Sequence, residues 1–63
     1  MEKLAIAEVK TKGQARQIAI DWQRWQATQA LSYVELAQWS GYFNLLARKF
    51  GLVREFKENG IIL

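Results

Sequence analysis

The chain contains no cysteine, no histidine and no proline. Without cysteine there is no disulfide, and without cysteine and histidine the usual zinc and haem ligands are missing. The same two absences remove the commonest general base and the thiol nucleophile, which argues against an enzyme. Six carboxylates remain. Asp21, beside Trp22, is the strongest candidate acid among them, and it reads better as a solvated residue on the polar face of a helix. The four glycines are isolated from one another, so no glycine-rich phosphate loop exists. No run of about 18 apolar residues is present, so no segment is expected to cross a membrane. The N-terminal segment lacks the apolar stretch of a signal peptide. These absences lead to the expectation of a cytoplasmic protein with no cofactor, no metal and no small-molecule substrate.

What the chain does have is apolar and aromatic. Its 63 residues are 51% hydrophobic and include three Trp, three Phe and two Tyr, with a net charge of +3. That composition argues against disorder. A single domain of this size buries only about 60% of its unfolded surface. With disulfides and metals excluded, tight helix packing or self-association has to supply its stability. The mild positive charge permits contact with nucleic acid without requiring it.

Residues 1–10 read as an extended or disordered arm, ahead of a single helical domain over 11–63. Alternation in Leu4 to Val9 also admits a short strand, whose only candidate partner is the tail Ile61-Ile62-Leu63. Thr11 with Gln14 fits a capping box. Behind it Ala15, Ile18, Ala19, Trp22 and Trp25 recur at helical spacing, which predicts a helix to about Ala30. Asp21 and Arg24 lie three apart and suit a weak surface pair. Ser32 with Glu35 is a clearer capping box, with Leu31 and Leu36 placed as a hydrophobic staple. The second helix then carries Leu36, Trp39, Phe43, Leu46, Ala47 and Phe50 on one stripe and stops at Gly51. With no proline to interrupt either pattern, the short connection predicts an antiparallel helical hairpin. A second stop at Gly60 implies a short third helix, about Leu52 to Asn59. The fold class is therefore all-α, with a core of Ile18, Trp22, Trp25, Leu36, Trp39, Phe43, Leu46 and Phe50.

Two readings of Leu31 to Gly51 compete. Leu31, Ser32, Glu35, Leu36, Ala37, Ser40 and Gly41 resemble the front half of a phage-repressor helix-turn-helix. That resemblance implies a turn at Gly41 and a recognition helix with base-facing residues from Tyr42 to Leu46. Asn44, Arg48 and Lys49 are then the candidate nucleic-acid contacts. Against it, Phe43 is a poor cap and Phe43, Leu45 and Leu46 are too apolar to face DNA. The favoured reading is one continuous amphipathic helix. Stacking of single-stranded bases on Trp22, Trp25 and Trp39 is a further use of the rings, but aromatics at helical spacing read first as core. The first helix has some features of an interfacial membrane helix, yet its Gln-rich polar face argues against that. Eight aromatic rings exceed what one seam can enclose, so part of the apolar surface should remain outside. Ile20, Trp25, Tyr33 and Tyr42 are the candidate partner surface, and a homodimer or another protein is the expected partner.

Ala15 to Gln23, then Ser32-Tyr33 with Glu35-Leu36-Ala37, then Tyr42-Phe43 and the closing FGLVREFKENGI from Phe50 to Ile61 form a recurring set. On these residues the chain resembles small uncharacterised proteins of phages and prophages of Gram-positive bacteria, over about Thr11 to Leu63. The resemblance implies a mobile-element origin and assigns no activity, cofactor or site. The resulting expectation is a non-enzymatic accessory protein acting by protein–protein contact, with a helix-turn-helix DNA-binding protein over 31–51 as the alternative.

Overall fold

The computed structural model describes residues 1–62. Three helices form: α1 over Lys12–Gln26, α2 over Tyr33–Phe50 and α3 over Val53–Glu58. No strand occurs among the described residues. Each boundary has a local cause. Thr11 caps α1 by accepting the Gln14 N–H at 3.1 Å. The expected reciprocal bond is displaced by one residue, because the Gln14 side-chain oxygen accepts from Lys10 N–H at 2.9 Å. At α2 the box is complete. Ser32 Oγ accepts Glu35 N–H at 3.2 Å, and Glu35 Oε1 accepts Ser32 N–H at 3.3 Å. Gly51, at φ 69°, ends α2, and Leu52 N–H returns to Ala47 carbonyl at 2.8 Å. Gly60, at φ 71°, ends α3 the same way, with Ile61 N–H on the Phe56 carbonyl. Both positions need the left-handed conformation that glycine adopts without a Cβ penalty.

α1 stops four residues earlier than expected. The Thr28 hydroxyl donates to the Trp25 carbonyl at 2.8 Å, and Thr28 and Gln29 amides bond three residues back. A hydroxyl that competes for backbone carbonyls favours a turn over continued helix, so 27–32 is a six-residue connection. The hairpin is antiparallel: Trp25 meets Trp39, while Trp22, one turn earlier in α1, also reaches Phe43, one turn later in α2. Asp21 accepts from Gln17 Nε2 at 2.9 Å, the partner it takes in place of the expected Arg24.

The N-terminal segment is more structured than a free arm. Ile6–Glu8 forms a single 3-10 turn between extended flanks, packed on α2. Val9 behind it is fully buried. Lys49 Nζ donates to the Ile6 and Val9 carbonyls, both at 2.9 Å. The strand pairing with the tail that the alternation also admitted is absent among the described residues; Ile61 and Ile62 enter the core instead, and Leu63 lies outside the described residues.

The core is an aromatic cluster centred on Phe43, which is fully buried and meets Trp22, Trp39, Tyr42 and Phe56 at ring distances of 5.2 to 6.0 Å. Edge-on and tilted contacts dominate, as ring quadrupoles favour. Trp22, Trp39, Leu46 and Phe43 are buried as expected, and Ile18, Trp25 and Phe50 pack at the margin. Leu36 is a correction: it stays 39% exposed. Its place is taken by Val9, Leu52, Phe56, Ile61 and Ile62. Arg16 and Glu55 tie α1 to α3 through a two-pronged contact of 2.8 and 3.0 Å. Gln23 Nε2 adds a bond of 2.8 Å to the Asn59 carbonyl.

Candidate interaction surface

The capped start of α2 brings apolar residues to the surface. Ser32 and Glu35 fix the helix entry, and the residues that follow, Tyr33, Val34, Leu36 and Ala37, are all exposed. Tyr33 is 86% exposed and Val34 64%. Their position on the helix explains this. Trp39, Phe43, Leu46 and Ala47 face the core, and Val34, Ala37, Gly41 and Leu45 fall on the opposite side of the 3.6-residue turn.

Beside this face runs an open groove of about 400 Å³. Tyr33, Leu36, Ala37 and Ser40 line it from α2, and Trp22 lines it from α1. The returning tail supplies Gly60, Ile61 and Ile62. The groove is apolar and within the size range of small binding clefts. Leu36 therefore stands on a groove wall and not under the core. The Trp22 indole N–H beneath is buried with no hydrogen-bond partner among the described residues.

Of the four residues proposed for a partner surface, two are exposed. Ile20 is 43% exposed on α1, next to a small hollow shared with α3, and Tyr33 stands on α2. Trp25 packs on Trp39, and Tyr42 packs edge-on against both Trp39 and Phe43. Tyr42 lies off the main stripe, but the docked N-terminal segment provides a second wall that the helix pattern alone does not reveal. Its hydroxyl is buried without a hydrogen-bond partner among the described residues. Burial pushes that phenol above its ordinary pKa, and the nearby Glu8 carboxylate adds to the effect. Val34, Leu36 and Leu45 were missed as surface residues; Val34 and Leu45 carry the signal of an apolar side chain opposite the Trp39–Phe43 stripe, whereas Leu36 lies on that stripe and faces the groove.

The nucleic-acid set is dispersed. α2 runs unbroken through Ser40 and Gly41, so the turn of a helix-turn-helix does not form there. Asn44 Nδ2 donates to the Ser40 carbonyl at 3.0 Å. Lys49 holds the N-terminal segment. Arg48 alone of the three projects with no such task, exposed on the outer side of α2.

Ion pairing is peripheral to the groove. The Arg16 hydrogen bond holds the Glu55 carboxyl below the ordinary glutamate range, while partial desolvation opposes it. Arg54 pairs with Glu58 one turn along α3 at 3.1 Å. Among the described residues, no helix is long and apolar enough to cross a membrane. No protein-family model, curated protein or solved structure matches this chain.

Proposed function

We propose that this chain is a non-enzymatic interaction module that works by protein–protein contact and associates with itself. The observation that carries the reading is the apolar surface on the first half of α2, next to a groove, on a domain whose aromatic core is already closed. Tyr33, Val34 and Leu36 are bulky, apolar and exposed in one short stretch. Contiguous exposed apolar surface of this kind marks a contact site, and a two-fold contact is its commonest use. The lack of histidine and cysteine is in keeping with a binding role. A phage or prophage accessory role is part of the proposal and rests on the sequence resemblance.

An amide NMR dilution series from millimolar to micromolar tests it. Amides of 33–37 are expected to shift with concentration, while those around Arg16 and Glu55 stay fixed. Spectra that do not change with concentration would contradict self-association.

A further inference from the structure

Because α1 and α2 run antiparallel, the first turn of α1 and the last turn of α2 lie at one end of the hairpin. Two contacts bring neighbouring segments to the same end. Lys49 Nζ holds the Ile6 and Val9 carbonyls, and Arg16 holds Glu55 at the start of α3. Charge is divided unevenly between this end and the rest of the chain. Residues 8–16 and 47–55 carry six of the nine cations, Lys10, Lys12, Arg16, Arg48, Lys49 and Arg54, and two of the six carboxylates, Glu8 and Glu55. Six against two leaves this end at +4, and the remaining three cations against four carboxylates leave the rest at −1.

Contacts within the chain account for part of this charge. Arg48 and Lys49 suit the C-terminal end of the α2 dipole, Lys49 is occupied by its two carbonyls, and Arg16 is neutralised by Glu55. They do not account for Lys12. It stands in the first turn of α1, where the helix dipole disfavours a cation and no acid is present. Glu55, the carboxylate that Lys12 acts on through space, is already held by Arg16. Lys10 Nζ rests on the Ala7 carbonyl and Arg54 on Glu58, both in contacts open to solvent and readily exchanged. Lys10, Lys12, Arg48 and Arg54 are therefore free to meet an outside anion.

The surroundings narrow the kind of anion. Every exposed residue over 8–16 and 47–55 is charged, glycine or Thr11, with no apolar side chain and no ring among them. A membrane surface would need apolar residues to insert, and single-stranded bases would need rings to stack on. This end offers positive charge alone, which complements the phosphates of a duplex.

We propose that the basic end of the hairpin is a second interaction surface, which docks on the sugar–phosphate backbone of duplex DNA through Lys10, Lys12, Arg48 and Arg54 and reads no bases. This mode needs neither a helix-turn-helix nor a break at Gly41. It lies at the opposite end of α2 from Tyr33, Val34 and Leu36, so it stands or falls apart from self-association. Backbone contact without base readout gives weak binding, in the range of about 1 to 100 µM at physiological salt.

The test is an amide NMR titration of the full chain with a short random-sequence DNA duplex. Shifts are expected at 10–16 and 47–54. Affinity should fall roughly fortyfold between about 50 and 200 mM salt, as three neutralised phosphates require. Lys12→Glu and Arg48→Glu are each expected to weaken binding at least about fivefold at the lower salt, with unchanged melting because both side chains are exposed. Arg24→Glu makes the same change of charge about 18 Å further along α1 and is expected to weaken binding less than about twofold, since salt screens a charge at that distance. Equal losses in all three variants would mean that net charge alone is felt, and would overturn the surface. Shifts centred on 31–46, or no binding at the lower salt, overturn it as well. So does tighter binding to phosphatidylglycerol vesicles than to the duplex, which would make the occupant a lipid surface.

Discussion

Phe43 and Tyr42 are neighbours with opposite energetic standing. Phe43 is fully buried and meets four other rings. Phe43→Ala should cost on the order of 3–5 kcal/mol, by lost transfer energy and a cavity, which is comparable to the whole stability of so small a domain. Urea denaturation checks this, and a variant with an unchanged midpoint would contradict the packing described. Tyr42 is partly buried, and its hydroxyl is buried with no hydrogen-bond partner among the described residues. Tyr42→Phe is therefore expected to be neutral or to stabilise by up to about 1 kcal/mol. The pH dependence has a definite sign. A phenol whose folded pKa is raised keeps its full contribution below the unfolded tyrosine pKa and loses it as pH rises toward the folded value. Native protein should lose stability over that alkaline interval, and Tyr42→Phe should lose less. Equal alkaline losses in the two proteins would contradict the burial argument.

The helices differ in how far neighbouring residues decide them. The Ser32–Glu35 box and the stops at Gly51 and Gly60 involve residues at most five apart, so the sequence displays them directly. The docking of 1–10 depends on Lys49, some forty residues away, and no local pattern announces it. That is why Lys49 resembled a surface cation and Val9 part of a loose arm. The end of α1 was overextended for a related reason: the apolar pattern, whose last member is Trp25, is followed by no glycine or proline to mark a stop, while a single Thr28 hydroxyl decided the turn. Of the candidate surface, Tyr33 and Ile20 were legible as apolar residues off the stripe. Tyr42 was not, because the segment that packs on its helix comes from elsewhere in the chain, while Trp25, which was also expected in the core, packs on Trp39. Lys49→Met tests the docking. Losing two charge-assisted bonds to carbonyls should cost about 1–2 kcal/mol, and amide exchange of residues 6–10 should accelerate more than that of α1. Unchanged protection at Val9 would mean that burial alone holds the segment.

At the scale of the molecule, the radius of gyration is 10.9 Å, close to the roughly 11 Å of a compact domain of this length. The monomer thus closes its own core, through the third helix and the tail, without borrowing a partner's residues. Its remaining apolar surface is concentrated on α2, at Tyr33, Val34, Leu36 and Leu45. In this account self-association is an addition to a finished fold. Dilution should dissociate the protein into folded monomers, with no loss of helical circular dichroism.

Sedimentation equilibrium of the unmodified chain, across the micromolar to millimolar range, tests that claim most directly. The account predicts a single monomer–dimer equilibrium that goes to folded monomer on dilution. A monomer mass at every concentration would contradict it.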